Sequence, residues 1–384
     1  MIRNLIIILS LAAITAGKVH SQEKPKFLTL SGYISTIQSV MFDSLSGPFV
    51  NENIIHNRLN LKGYVNENIT FAAEFRNRLF TGDMVLPGLS YPEITGKDQG
   101  WVDMSWNILN EQSFFLNSTI DRLWMDFNYG KFQARVGRQR INWGQTLVWN
   151  PNDIFNAYSF FDFDYVERPG SDAVRLQYYP GFSSALEFAV KADYKDRVTA
   201  AALYRFNKSG YDIQFLAGYI NSEDLVAGAG WSGAIGSVSF RGEASWFQSA
   251  KNFSDSTGTG IFTIGFDKTF KNNSLAQTQV MYCNNPLKMS SFNILYLGEM
   301  STKNLAFSRF SAFGQFSYPA TPLLNLTISA MWFPDMKGYF AGPSIDYSLA
   351  ENVDFSLFWQ HFESKISMIP TRINLGFLRV KVSF

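Results

Sequence analysis

Cysteine occurs once in the 384 residues, at Cys283, so an internal disulfide framework is excluded. No cysteine stands directly after the N-terminal leader, which excludes a lipid-modified N-terminal anchor. The lone thiol reads as a small wall or loop residue. Charged residues reach only 17%, well below the quarter or so usual in soluble domains. The acid and base counts nearly cancel to a net charge of +1, which excludes a basic nucleic-acid binder. Beyond the leader no stretch approaches the ~20 apolar residues that a membrane-crossing helix needs. Histidine is scarce as well: outside the leader only His56 and His361 remain.

Aromatic residues are abundant, at 16%, with 36 Phe, 17 Tyr and 9 Trp. At the N-terminus Arg3 precedes an apolar run from Leu5 to Thr15, then small and polar residues through Ser21. That pattern marks residues 1–21 as a secretory signal peptide, leaving 22–384 as one domain.

The mature chain alternates with period two almost throughout. Leu59, Leu61, Gly63 and Val65 oppose Asn60, Lys62 and Tyr64, and Leu324, Leu326, Ile328, Ala330 and Trp332 oppose Asn325, Thr327, Ser329 and Met331. A soluble β-sandwich alternates too, so connection length discriminates. Every second connection is a short turn, as at 66–68, 129–131 and 207–210, whereas 81–117, 141–171 and 284–304 are long. Short turns on one side and long loops on the other predict an all-β fold, a transmembrane antiparallel up-and-down β-barrel of about 18 strands, with 16 the alternative. Closure satisfies every backbone group in hydrocarbon and leaves no open edge. Tyr129, Tyr178, Phe206, Tyr211, Tyr318 and Tyr347 stand near the short-turn ends, where an interfacial aromatic belt belongs. The chain ends LRVKVSF, and the closing strand with its terminal Phe384 resembles the signal read by the outer-membrane barrel-assembly machinery. Outer-membrane lipid and that machinery are the expected partners, with a homo-oligomer as a further option.

If the greasy faces meet lipid, the other faces line a lumen. Expected pore-lining cations are Arg58, Lys62, Arg76, Arg78, Arg122, Arg135, Arg175, Arg205 and Arg241, mostly from the first half of the chain. Inward acids are Glu74, Asp126, Glu187, Asp212, Glu243, Asp267, Asp346 and Asp354, several of them from later strands. Such density implies hydration and cross-strand pairing, hence an aqueous interior.

Residues 141–171 combine Trp143, Trp149, Phe155, Tyr158, Phe160, Phe161, Phe163 and Tyr165 with Asp153, Asp162, Asp164 and Glu167. So much apolar area must find a surface, and the lumen is nearest. The loop is expected to fold inward as a constriction, its carboxylates facing the basic arc and its aromatics against the wall. The bland reading is an external cap. Within this stretch GRQRINWG (Gly137–Gly144), NPND (Asn150–Asp153) and ERPG (Glu167–Gly170) resemble porin-like outer-membrane families, including those related to alginate-export barrels. The resemblance is confined to 137–170 and implies an 18-stranded channel with no particular solute. The mixed lumen charge departs from what a polyuronate exporter would need.

The function expected is therefore a porin-like channel for passive passage of small hydrophilic solutes or ions. The rivals are a transporter or exporter of a hydrophobic or polysaccharide solute, and a blocked barrel acting as a surface scaffold. An outer-membrane enzyme needs a histidine base, and neither His56 nor His361 has a nucleophile beside it in sequence, so both read as exposed wall residues. An energy-coupled transporter needs a plug domain, for which the stretch ahead of Phe27 is too short. No metal-ligand cluster or cofactor motif stands out, the Thr/Gly run at 257–260 reading as a flexible loop, so no cofactor is expected.

Overall fold

The computed structural model describes residues 27–85, 90–157, 168–288, 301–366 and 369–384. The signal-peptide region lies outside them. The first strands are β1 (Leu28–Phe42), β2 (Val50–Tyr64), β3 (Ile69–Gly82), β4 (Ser105–Asn110), β5 (Phe114–Tyr129), β6 (Phe132–Gln139) and β7 (Ser171–Gly181). Next come β8 (Ser184–Ala192), β9 (Val198–Lys208), β10 (Tyr211–Ile220), β11 (Asp224–Ile235), β12 (Val238–Ser249) and β13 (Thr259–Thr269). The remainder are β14 (Leu275–Cys283), β15 (Phe310–Pro319), β16 (Leu324–Phe333), β17 (Gly338–Ala350), β18 (Val353–Ile366) and β19 (Ile369–Ser383).

All pairings are antiparallel between ring neighbours, and β1 pairs β19 from Tyr33↔Ser383 to Phe42↔Asn374, which closes an 18-strand barrel. Phe384 and Gly32 exchange two backbone hydrogen bonds at 2.9 Å at the end of that seam. The short-turn side holds both the start of β1 and the end of β19, as an even strand number requires. Alternation is the reason these segments become wall. On β8, Leu186 and Phe188 are 47% and 46% exposed on the outer face, while Glu187 between them is fully buried on the inner face. Exposed aromatics gather at the short-turn rim, among them Tyr129, Phe132, Phe182, Tyr318 and Tyr347.

Three departures from the alternating plan matter. First, the nineteenth strand, β4, lies inside the expected 81–117 loop and pairs only with the upper part of β5. Strand β5 has 16 residues but β6 only 8, so the wall beside upper β5 lacks its ring neighbour. β4 fills that place, and residues 98–102 carry the patch toward β8 through the bridge Gly100↔Asp193. Arg138 at the top of β6 holds the seam: it donates to Asp172 and Asp98, each at 2.6 Å, and to the carbonyls of Val102 and Ile120.

Second, β5 carries a bulge. Glu74 pairs Arg122 and Phe75 pairs Ile120, so Asp121 is the extra residue. Strict alternation would turn Asp121 outward if Arg122 points inward. The bulge turns both inward, and both are buried.

Third, the interior is not uniformly polar. Phe247, Ile261, Met281, Phe313, Met331, Phe340 and Phe362 are inward residues of β12 to β18 near the loop side, and they form one buried cluster with Trp149 and Phe307 from two loops. The expectation of an aqueous interior is corrected there: loops folded into the lumen bury apolar area, and the strands facing them are apolar to match.

Candidate lumen and constriction

The predicted lumen cations lie on the inner face of the register but are mostly paired. Arg58 donates Nη1 to Asp121 at 2.6 Å and Nη2 to Glu74 at 2.5 Å, and Arg76 Nε lies 3.4 Å from Asp121. Arg135 meets Asp126 at 2.9 Å, Arg175 meets Glu187 at 2.8 Å, and Arg241 meets Asp267 at 2.5 Å. Arg78 donates to the Thr95 carbonyl and to Asn117, and Arg122 to the carbonyls of Asp121 and Arg168. A guanidinium buried in this way needs donors matched to acceptors, and cross-strand neighbours supply them.

Lys62 and Arg205 differ: neither has an ion-pair partner among the described residues. The same holds for Arg379 and Lys381 on the inner face of β19, which sequence reading passed over. Lys381 Nζ stands 4.4 Å from the Tyr33 ring centre, and the Arg379 guanidinium 5.2 Å from that of Phe358. Asp121 was missed as well, because nothing local announces a bulge. Across the lumen Asp212, Glu243, Asp267, Asp346 and Asp354 occupy inward positions on β10 to β18, so the two arcs carry opposite bias.

The connection after β6 leaves the wall at Gln139. That side chain is fully buried and donates to the carbonyls of Arg135 and Ala173, closing the strand end. Residues 141–157 then lie against the inner wall of β8 to β14. Trp143 is 2% exposed, meets Phe155 edge-on at 4.9 Å, and donates Nε1 to Glu187 at 2.5 Å. Gln214 Nε2 donates to the Trp143 carbonyl at 2.6 Å. Gln279 accepts from Val148 N at 2.8 Å and donates to the Trp149 carbonyl at 2.9 Å. Glu243 accepts the backbone N–H groups of Gln145, Thr146 and Asn152. At the exit Asn156 accepts from Ile141 N and donates to the Pro169 carbonyl, while Ser171 donates to the Phe155 carbonyl.

The expected polarity of this loop is corrected for its described part. Its carboxylates were expected to face the basic arc of β2 to β7. The described part instead sits on β8 to β14, offering N–H groups to wall carboxylates. Asp153 is buried under it, its carboxylate accepting from Trp143 N at 3.3 Å. Burial pushes the Asp153 carboxyl up to about 7, against the lowering effect of that N–H and of Arg140. Trp149 is buried too, whereas Asp162, Asp164 and Glu167 lie outside the described residues. A second inward segment, 301–309, was not foreseen. Leu305, Ala306 and Phe307 are buried, and Lys303 ties it to Asp224 at 2.8 Å.

The fold is that of the outer-membrane porins. OccAB2 of Acinetobacter baumannii superposes with a TM-score of 0.60 at 9% identity, over 94% of this chain and 99% of its own. OpdQ of Pseudomonas aeruginosa gives 0.59 at 10% identity, and OccK7 (OpdD) of the same organism 0.57 at 9%, each over 94% of this chain and 99% of its own. No family model and no curated protein sequence matches the chain. At such identity the likeness speaks for the fold alone.

His56 is a further correction. It is buried inside the barrel, edge-on to Tyr33 at 5.3 Å, rather than exposed on the wall. His361 bonds Tyr339 Oη at 3.1 Å and Asn374 at 2.8 Å. Among the described residues no group of three or more His, Cys, Asp or Glu is placed to hold a metal ion.

Proposed function

We propose that the protein is an integral outer-membrane channel for passive passage of small hydrophilic solutes or ions, its bore narrowed by the segment after β6, and that it is not an enzyme. One observation carries the reading: a stretch of chain is seated inside a closed barrel by buried wall side chains, while the opposite wall keeps charged groups facing the lumen. Lys62, Arg135, Arg175, Arg205 and Arg241 line the passage in this reading, while Arg58, Arg76, Arg78 and Arg122 are buried at the inner wall beside it. Trp143, Trp149 and Asp153 belong to the constriction, together with Asp162, Asp164 and Glu167. The porin fold of the neighbours supports the same location and activity.

Kinship with alginate-export-like barrels rests on Gly137–Gly170, whose Gln139, Asn152 and Asp153 fasten the inward segment. Residues 1–21 act as the export signal in this proposal, and Phe384 is read by the assembly machinery. The apolar cluster at the loop side favours one alternative, a barrel closed to solutes. Swelling of liposomes in sugars of graded size decides between them: a size-dependent rate supports the channel, and no swelling with the smallest sugar supports the closed barrel.

A further inference from the structure

The wall beneath the inward segment is shaped to receive it. Gly228 and Gly230 are inward positions of β11, and a Cβ on them would stand 2.7 Å from Asn152 Oδ1 and 2.7 Å from Gln145 Oε1 respectively. A methyl there would push those side-chain ends aside and a bulkier side chain such as valine would crowd the segment itself, so the two glycines form a seat. Beside it stands Glu243 of β12, fully buried. Its Oε1 accepts Gln145 N, Thr146 N at 2.7 Å and Thr146 Oγ1 at 3.1 Å, and its Oε2 accepts Asn152 N at 2.9 Å. One carboxylate thus holds both ends of the stretch 145–152 through donors that only an acceptor-only group can satisfy together. An amide at this position would present a donor to one of the two ends.

We infer that Glu243, with the Gly228/Gly230 seat, is the positioning residue that sets the bore of the channel by holding 145–152 against the wall. The inference rests on the channel reading for its consequence and on geometry for its latch. Without the carboxylate, Thr146 N and Asn152 N are buried donors with nothing to accept them, and the segment moves toward the lumen axis or out of it. The barrel ladder on either side of position 243 is backbone-made and survives the change.

The test uses the full chain refolded into detergent, with the gel mobility of the heated and unheated barrel as the check on folding. Cysteines at N152C and S245C report docking, since Ser245 Oγ and Asn152 Oδ1 are 2.7 Å apart. Disulfide formation under mild oxidant is expected to slow by about tenfold or more when E243A is added, as loss of charge-assisted bonds implies. G230V, which leaves the carboxylate in place, is expected to do the same. Equal rates in all three backgrounds overturn the latch. In planar bilayers E243Q and G230V are expected to change single-channel conductance and to add open-level noise, and oxidation of the cysteine pair in the E243A background is expected to restore the native level. Slower cross-linking with unchanged conductance overturns the role in setting the bore. A native protein that passes no current overturns the channel reading, while the cross-linking rates still decide the latch.

Discussion

Removing the Asp121 carboxylate tests the lumen charge network at its centre. Asp121 is 2% exposed, accepts Arg58 at 2.6 Å and lies 3.4 Å from Arg76. In D121A two guanidiniums lose their shared counter-charge where water has little access. Breaking a buried pair from one side costs about 3–5 kcal/mol, because the remaining charge stays desolvated. Glu74 still holds Arg58 at 2.5 Å, so the lower end applies, about 3 kcal/mol or roughly 150-fold in the folding equilibrium. Urea unfolding of the barrel in lipid vesicles, followed by tryptophan fluorescence, measures it. The double variant R76A/D121A should recover part of the loss, because one of the two cations that shared the carboxylate is gone. A D121A barrel within about 1 kcal/mol of the native one, the scale of an exposed pair, would refute the claim that this network is desolvated.

Three further outcomes are expected. Reversing Lys381 and Arg379 to Glu should shift the zero-current potential in a salt gradient toward cations, whereas a change at paired Arg175 should shift it less; equal shifts would mean that pairing does not screen the wall. The raised pKa of Asp153 stabilises docking of the segment when the carboxyl is protonated, so protection of the Gln145 and Thr146 amides from hydrogen exchange should fall as pH rises from 3.8 to about 7. In D153N that dependence should weaken. Deleting Phe384 should lower the yield of assembled barrel in cells while leaving refolding into detergent micelles largely intact, since only the last rung of the β1/β19 seam is lost.

Much of the architecture is legible along the chain. Side chains at Leu186, Glu187 and Phe188 declare their faces by spacing alone, and the turn lengths at 66–68 and 207–210 against 141–171 declare which rim is which. The aromatic load from Trp143 to Phe155 announces a segment that must hide from water. Its seat did not show, because Glu187, Gln214, Glu243 and Gln279 are spread over β8, β10, β12 and β14 and come together only when the wall curves. β4 was hidden for another reason: Trp106, Ile108 and Leu109 are all exposed, so the strand lacks the two-faced signature that marks the others.

Residue order alone thus determined a two-faced antiparallel wall, its greasy side outward, its charge inward, and one connection too apolar to stay in water. Tertiary structure decided which charges meet, where the inward segment rests, and that Asp121 belongs to the lumen. The reason is the reach of each signal. Which face a residue takes follows from neighbours two positions away, whereas ion pairing follows from register between strands far apart in the chain. A single bulged residue reverses the parity of everything beyond it.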